Sequence, residues 1–318
     1  MSLQEVFAPV TEELGTVMQV IKASVPDGCL YELCAPFLDN PGKGIRPGLF
    51  LLCSRLVWSR PNPDKFIPIA AALELFHWSS LIHDDVIDEA VLRRGVPTIN
   101  FRYGPAVAIL VGDFFLSRAI HFLVGCDGDV LDTISQLFLD LVMGEIQEQL
   151  ERGQYRLTET QYLQLVGRKT ASFLAAACAL GAKMAGACGE MVAVAKDYGY
   201  CLGMVYQLRD DLLDIVGDPA VLGKKTGVDV LAGVETLPAI RARSLLPQQY
   251  YKVVNSLSED GDTSSLGDLL TECGALEYTE SLIQVYFDRA AASLERLPAG
   301  SARDRLRQLL EYVVLRDR

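Results

Sequence analysis

Two stretches of the chain repeat one acidic arrangement: Asp84, Asp85 and Asp88 in HDDVID, and Asp210, Asp211 and Asp214 in RDDLLD. On a helix the first and last acids of each D-D-x-x-D set share one face about 6 Å apart, with the middle Asp turned about 100° away. Both sets follow long apolar runs, ALELFHWSSLI and YGYCLGMVYQL, where three like charges are costly unless something positive meets them. Carboxylate oxygens suit Mg²⁺, which keeps much of its water and is usually held by one or two carboxylates together with substrate phosphates. The pattern predicts a phosphate-bearing substrate.

Such a substrate requires cations near the acids. The sequence supplies Lys43 and Arg46 in GKGIRP, Arg93 and Arg94 in RRGVPT, Lys169 in RKT, and Lys224 and Lys225 in GKK. Gly42 and Gly44 bracket Lys43 and let backbone and side chain approach an anion closely, and Arg46 before Pro47 falls at a helix start. Taken singly, each cluster reads equally well as surface charge. His77 lies seven residues before Asp84, close to the same helix face, where it can contact a substrate. His83 and His121 read as structural. Three histidines are too few and too poorly spaced for a catalytic zinc site, and the absence of G-x-x-x-x-G-K-[ST] argues against a nucleotide triphosphatase of that kind.

The elements that must carry these residues are helices. Half of the 318 residues are hydrophobic and the formal net charge is -12, which excludes a disordered chain and a basic nucleic-acid binder. Apolar residues recur at helical spacing almost throughout. The predicted helices run over Gln4 to Ser24, Pro47 to Ser59, Ile67 to Asp88, Pro105 to Val124, Val130 to Arg152, Glu159 to Gly186 and Glu190 to Val216, with shorter ones after them. No linker or repeat divides the chain, so a single domain over 1–318 is predicted, with the helices from Ile67 to Val216 as a central bundle and the charged last third as shell. The eight cysteines have no C-x-x-C pair and read as buried free thiols in a reducing compartment. MSLQEVFAPVTEELGTV carries acids where a signal peptide has its apolar stretch, and the longest apolar run, Phe173 to Ala182, ends at Lys183. No transmembrane segment and a cytoplasmic location are predicted.

In order along the chain, GKGIRP, ELFHWSSLIHDDVIDEAVLRRGVPT, AILVGDFFLSRA, GEIQEQ, RKTASFLAAACALGA, YGYCLGMVYQLRDDLLDIVGD, GKKTGVD and TLP resemble the trans-isoprenyl diphosphate synthases, most closely the bacterial polyprenyl synthases. The resemblance covers roughly Gly42 to Pro238. It implies an all-α, single-domain bundle of long, mostly antiparallel helices around a central apolar cavity, and an enzyme that joins isopentenyl diphosphate to an allylic diphosphate. Lys43, Arg46, His77 and Arg94 are implied to bind isopentenyl diphosphate, and Arg93, Lys169 and Lys224 the allylic diphosphate. Asp84, Asp88 and Asp210 are implied to hold three Mg²⁺ ions, with Asp85 and Asp211 in the catalytic set. Thr170, the Lys169 carbonyl and Gln207 are implied to stabilise an allylic cation. Three positions depart from the family pattern: Gly44 stands where a second basic residue is usual, a lysine often found before TLP is replaced around Val234, and Glu148 stands where GE-x-x-Q has Gln.

Product length follows from the same resemblance. In this family a bulky residue four or five places before the first motif closes the pocket at about C15; here Ser80 and Ser79 occupy those places. Phe76 and Leu73 lie further down, with Trp78 and Phe115 as further contributors, so a product longer than C15 is predicted. The alternative for the serines is simple packing against a neighbouring helix. Relatives are usually homodimers, with the apolar helix from Pro105 to Val124 as the predicted interface. Arg316 and Arg318 are candidates to close over the diphosphates, or to fray. Two other readings remain at this stage: a terpene cyclase or head-to-head synthase, and a non-catalytic subunit of a heteromeric synthase.

Overall fold

The computed structural model describes residues 2–57, 63–216, 227–260 and 264–316. Among these the chain is helical apart from one hairpin, β1 (Leu92–Arg93) paired antiparallel with β2 (Val96–Pro97). Its contacts define two compact units, one of Met1–Thr133, Ala177–Val192 and Pro298–Leu306, the other of Ile134–Ala176, Ala193–Leu297 and Arg307–Arg318.

In the first unit a capping box of Ser2 and Glu5 starts α1 (Leu3–Phe7). Pro9 then turns the chain through a short 3₁₀ segment, Ala8–Val10, before α2 (Thr11–Ala23), so the predicted helix from Gln4 is broken. The helix α3 (Cys29–Asp39), with Pro36 inside it, was not predicted. Next come α4 (Ile45–Ser54), α5 (Pro63–Ile87), α6 (Ile99–Tyr103) and α7 (Pro105–Phe122). Ile69, Ala70, Ala71, Ala72, Leu73 and Leu75 of α5 are wholly buried, the mark of a helix enclosed on every side, and α5 packs on α7, α2 and α4.

Further along are α8 (Gly128–Glu151), α9 (Glu159–Val166), α10 (Ser172–Met184) and α11 (Gly189–Val216). The predicted helix from Glu159 to Gly186 is interrupted by a π-helical turn, Gly167–Ala171. In the second unit Gly199 and Gly203 let α11 approach that strand of helix closely: a Cβ on Gly199 would stand 2.5 Å from the Leu174 carbonyl oxygen, and one on Gly203 would stand 2.5 Å from the Ala171 Cα. Tyr250, Val254, Leu266 and Leu270 form a further core among the later helices of this unit.

The eight cysteines are free, as predicted, but only Cys34, Cys53, Cys178 and Cys201 are buried; Cys29 and Cys188 are exposed. Among the described residues two helices reach the length and apolarity of a membrane span, a match of length and composition alone. Asp64–Ile87 is 72% buried, as core helices are, whereas Pro105–Phe122 is only 28% buried.

The contact of α10 with α4 in the first unit is equally close, since a Cβ on Gly181 would collide with the Phe50 carbonyl oxygen and stand 3.0 Å from the Cys53 Cβ. Neither backbone can yield cheaply. Gly181→Ala is expected to destabilise the protein by about 2 kcal/mol in a thermal melt, as overpacked cores do. Gly189→Ala, where the added carbon meets open space, is expected to leave the melt unchanged or slightly raised.

Candidate active site

In the first unit Asp84 and Asp85 occupy the last turn of α5, and Asp88 lies just beyond it, its N–H donating to the Asp84 carbonyl at 2.8 Å. Asp84 is half-buried and Asp88 exposed, while Asp85 is only 3% exposed. The chain then reverses in the β1–β2 hairpin, whose two-residue turn, Arg94 and Gly95, has φ of 53° and 77°. Two successive positive φ angles are the condition for a type I′ turn. This turn brings Arg93 back onto α5, with its Nε 2.7 Å from the Asp85 Oδ1. Burial raises the Asp85 carboxyl above its ordinary range and the Arg93 guanidinium opposes that rise.

Arg94 points the other way. Its Nη1 donates to the Asn40 carbonyl at 3.1 Å, and its guanidinium lies where a Cβ on Gly42 would be. Gly42, at φ 86°, therefore seats Arg94, a role different from the predicted one of baring Lys43 to an anion. Lys43 is exposed, and Arg46 stands half-buried in the first turn of α4. Half-buried His77 feels Arg46, Arg94 and Arg93 together; enclosure first, then those three cations, hold its imidazole well below its ordinary range. It is a neutral donor and acceptor at neutral pH. His83 packs onto α7, 3.3 Å from the Ile109 carbonyl and 3.5 Å from Asp113.

The predicted chain-length residues lie on α5 in this unit. Phe76 and Ser79 are buried, and the Ser80 hydroxyl donates to the His77 carbonyl at 2.9 Å. Trp78 is packed edge-on to Phe115 at 5.4 Å and tilted against Phe37 at 5.8 Å. These aromatic rings fill one another's space and form a closed cluster.

In the second unit the π-helical turn carries Lys169 and Thr170. Tight packing surrounds it: a Cβ on Gly144 would stand 3.2 Å from the Lys169 nitrogen, and one on Gly167 would stand 2.6 Å from the Tyr200 hydroxyl. Lys169 Nζ lies 2.7 Å from both Glu145 and Glu148. The Thr170 hydroxyl donates to Gln207 Oε1 at 3.0 Å, and Gln207 Nε2 donates to Asp211 Oδ1 at 3.2 Å. The Tyr162 hydroxyl donates to the other Asp211 oxygen. Asp211 is 2% exposed, and burial pushes its carboxyl from 3.8 up to about 7. Asp214 is buried and accepts from the Asp229 N–H at 3.2 Å. Asp210 remains partly open and pairs with Arg316 at 2.7 Å; that guanidinium donates to the Tyr206 carbonyl and lies 3.8 Å from the Tyr206 ring centre. Arg316 is buried, not frayed.

The middle aspartates, predicted as catalytic, are thus buried and engaged by the protein's own donors. Among the described residues no group of three or more His, Cys, Asp or Glu side chains can hold a metal alone. Lys224, Lys225 and Arg318 lie outside the described residues. Sequence reasoning missed Tyr162, which stands in no recognisable motif, Glu145, which lies in the quoted GEIQEQ but was given no role, and Glu74, whose signal was an acid alone in the apolar run AALELF.

A family model described as polyprenyl synthetase matches residues 27–271. The octaprenyl diphosphate synthase of Escherichia coli is 32% identical, over 98% of this chain and 94% of its own. The heptaprenyl diphosphate synthase component 2 of Geobacillus stearothermophilus is 31% identical over the full length of both chains. Among solved structures, a polyprenyl synthase from Caulobacter crescentus, complexed with calcium and isoprenyl diphosphate, superposes with a TM-score of 0.92 at 29% identity, covering 100% of this chain and 98% of its own. The chain belongs to the polyprenyl synthetase family and is a trans-prenyltransferase with the all-α fold of those enzymes.

Asp211 gives this site a pH signature. The folded protein holds its proton up to about pH 7 and the unfolded chain only to 3.8, so its contribution to stability is full below 3.8 and is lost as pH rises through about 7. Asp211→Asn keeps a polar group against Tyr162 and Gln207 without the charge. It is expected to melt several degrees above the native protein at about pH 8, with the gap narrowing toward about pH 5, as followed by circular dichroism.

Proposed function

We propose that the protein is a Mg²⁺-dependent synthase that condenses isopentenyl diphosphate with an allylic diphosphate to an all-trans polyprenyl diphosphate longer than C15. The observation that carries this is the Asp-rich end of α5, where Arg93 closes on Asp85 at 2.7 Å and Asp84 and Asp88 keep partial exposure. The solved relative with calcium and isoprenyl diphosphate supports the substrate class.

Asp84, Asp88 and Asp210 fit divalent ions: all are oxygen donors left at least partly open, and Asp210 already draws a cation, Arg316, to 2.7 Å. Among the described residues no carboxylate cluster is complete, so Mg²⁺ held there would fill its shell with phosphate oxygens and water. Bound there, three Mg²⁺ ions would neutralise the charge that develops on the leaving diphosphate. Asp85 and Asp211 act behind them as positioning residues, through Arg93 and through Gln207 and Tyr162.

The reaction is ionisation, condensation and elimination. The allylic C–O bond breaks with its electron pair leaving on diphosphate, while Arg93, Lys169 and Lys224 hold that group. Lys169 exchanges Glu145 and Glu148 for phosphate oxygens as it does so. The Thr170 hydroxyl oxygen, the Lys169 carbonyl and the Gln207 amide oxygen face the cation that remains. Lys43, Arg46, His77 and Arg94 hold isopentenyl diphosphate, whose π electrons form the new C–C bond. Loss of a proton to the released diphosphate restores the double bond.

The partners of this reading are the two diphosphates and a second copy of the chain, in the cytoplasm; a net charge of -12 suits neither nucleic acid nor an anionic membrane. Two exposed apolar faces support association. On α7 of the first unit these are Ile109, Leu110 and Ile120; on α8 of the second unit Leu139, Val142, Met143, Ile146 and Leu150 stand at helix-packing spacing. Ile146→Lys is expected to halve the mass measured by light scattering from two chains to one. A native mass of one chain instead would point to a heteromeric partner, as the name component 2 of the Geobacillus relative suggests.

Incubation with Mg²⁺, labelled isopentenyl diphosphate and, separately, dimethylallyl, geranyl or farnesyl diphosphate tests the reaction by mass spectrometry. Products beyond C15 are expected, and Ser80→Phe is expected to shift the main product toward C15. Unchanged length in that variant would refute the role given to the α5 serines. No incorporation with any primer would favour a cyclase or a non-catalytic subunit.

A further inference from the structure

Lys169, on the π-helical turn of the second unit, sits between two carboxylates of α8, its Nζ 2.7 Å from Glu145 Oε2 and 2.7 Å from Glu148 Oε1. The two acids are three residues apart and so share a helix face. Their side chains are 18% and 16% exposed and that of Lys169 26%, so water screens the trio only in part. The acids differ in what else meets them. Glu145 also accepts from the Gln149 amide at 3.0 Å, through Oε1, the oxygen that Lys169 leaves free. Glu148 Oε1 has the Arg152 guanidinium 4.0 Å away, one turn further along. A Lys169 that turns elsewhere therefore leaves neither acid bare: Gln149 stays with Glu145 and Arg152 is placed to close on Glu148. Glu148 also stands where the family pattern has Gln, so the second charge on Lys169 is one this chain adds.

We propose that Glu148 is a positioning residue that competes with diphosphate for Lys169, and so weakens the hold on the allylic diphosphate and on the inorganic diphosphate it becomes. An ammonium on a four-carbon stem can swing between partners. A diphosphate that recruits Lys169 must take it from two charge-assisted contacts, where a chain with Gln at 148 would present only one. The same competition acts in reverse after the C–O bond has broken. Return of Lys169 to Glu148 loosens the spent diphosphate and readies the site for the next allylic diphosphate. Glu148 thereby acts on the allylic side of the reaction alone.

The inference rests on the assignment of Lys169 to the allylic diphosphate, and the test separates the two. The readout is calorimetric binding, in Mg²⁺, of inorganic diphosphate and of geranyl diphosphate without isopentenyl diphosphate. Glu148→Gln keeps the side chain's size and an acceptor oxygen for Lys169 and removes only the charge. It is expected to bind both ligands about fivefold more tightly, with KM for isopentenyl diphosphate within about twofold of native. Tighter binding is a change that damage to the structure would not produce. Lys169→Gln is expected to bind both ligands about tenfold more weakly, and adding Glu148→Gln to it to have no further effect, as action through Lys169 requires. Native or weaker affinity in Glu148→Gln, with Lys169→Gln impaired, overturns the role of Glu148 and leaves the site assignment standing. Equal tightening with and without Lys169 overturns it too, since Glu148 would then repel the diphosphate directly. Native affinity in Lys169→Gln overturns the site assignment itself. Where Glu148→Gln does not fold, Glu148→Ala is expected to tighten binding in the same direction, and native or weaker affinity there overturns the proposal.

Discussion

A carboxylate taken out of water must be met by a donor or a cation, and the architecture around both acidic motifs follows from that demand. The 100° step of the helix turns the middle aspartate of each D-D-x-x-D inward; in the first motif the outer two stay nearer solvent, and in the second only Asp210 does, Asp214 being buried as well. Asp85 is met by Arg93, and this ion pair ties the β1–β2 hairpin to α5. Asp211 is met by neutral groups, the Tyr162 hydroxyl and the Gln207 amide, and its carboxyl rises to about 7. The two motifs are alike in sequence and unlike in electrostatics. One anchors a cation beside the acids; the other anchors a hydrogen-bonded chain that ends at Thr170.

Close backbone approach is the second constraint, and glycine satisfies it where the site requires. Gly42 leaves room for the Arg94 guanidinium, which ties the loop before α4 to the hairpin after α5. Around the π-helical turn Gly144 and Gly203 admit neighbouring helices to within contact of its backbone. A π turn adds one residue to a helical circuit and so redirects the side chains it carries. Here those are Lys169 and Thr170, whose partners sit on different helices: Glu145 and Glu148 on α8, Gln207 on α11. Without the extra residue, a regular helix would carry the two side chains at a different angle to these partners.

Much of this was legible in the sequence, for identifiable reasons. Helices as apolar as α5 and α11 declare themselves by composition and length, and an acidic triplet at the end of such a run stands out because nothing in an apolar environment tolerates it unaided. The basic clusters stood out for the same reason, as the complement of a phosphate. What stayed hidden depends on residues far apart in the chain. The break of the helix after Glu159 is such a case: GRKTA has ordinary helical composition, and what permits the turn is the lack of side chains at Gly144 and Gly203, 23 and 36 residues away from Gly167 in either direction.

The roles of single side chains were hidden by the same distance. Gly42 beside Lys43 suggested an exposed, anion-facing loop, because a sequence shows only the neighbour at position 43 and not the guanidinium arriving from position 94. Tyr162 reads as one more aromatic residue on an amphipathic helix until α11 brings Asp211 to it. Glu74 had a local signal, since an acid inside AALELF stands out on a buried helix, but its partner, the Trp78 indole N–H one turn along, is plain only in the fold.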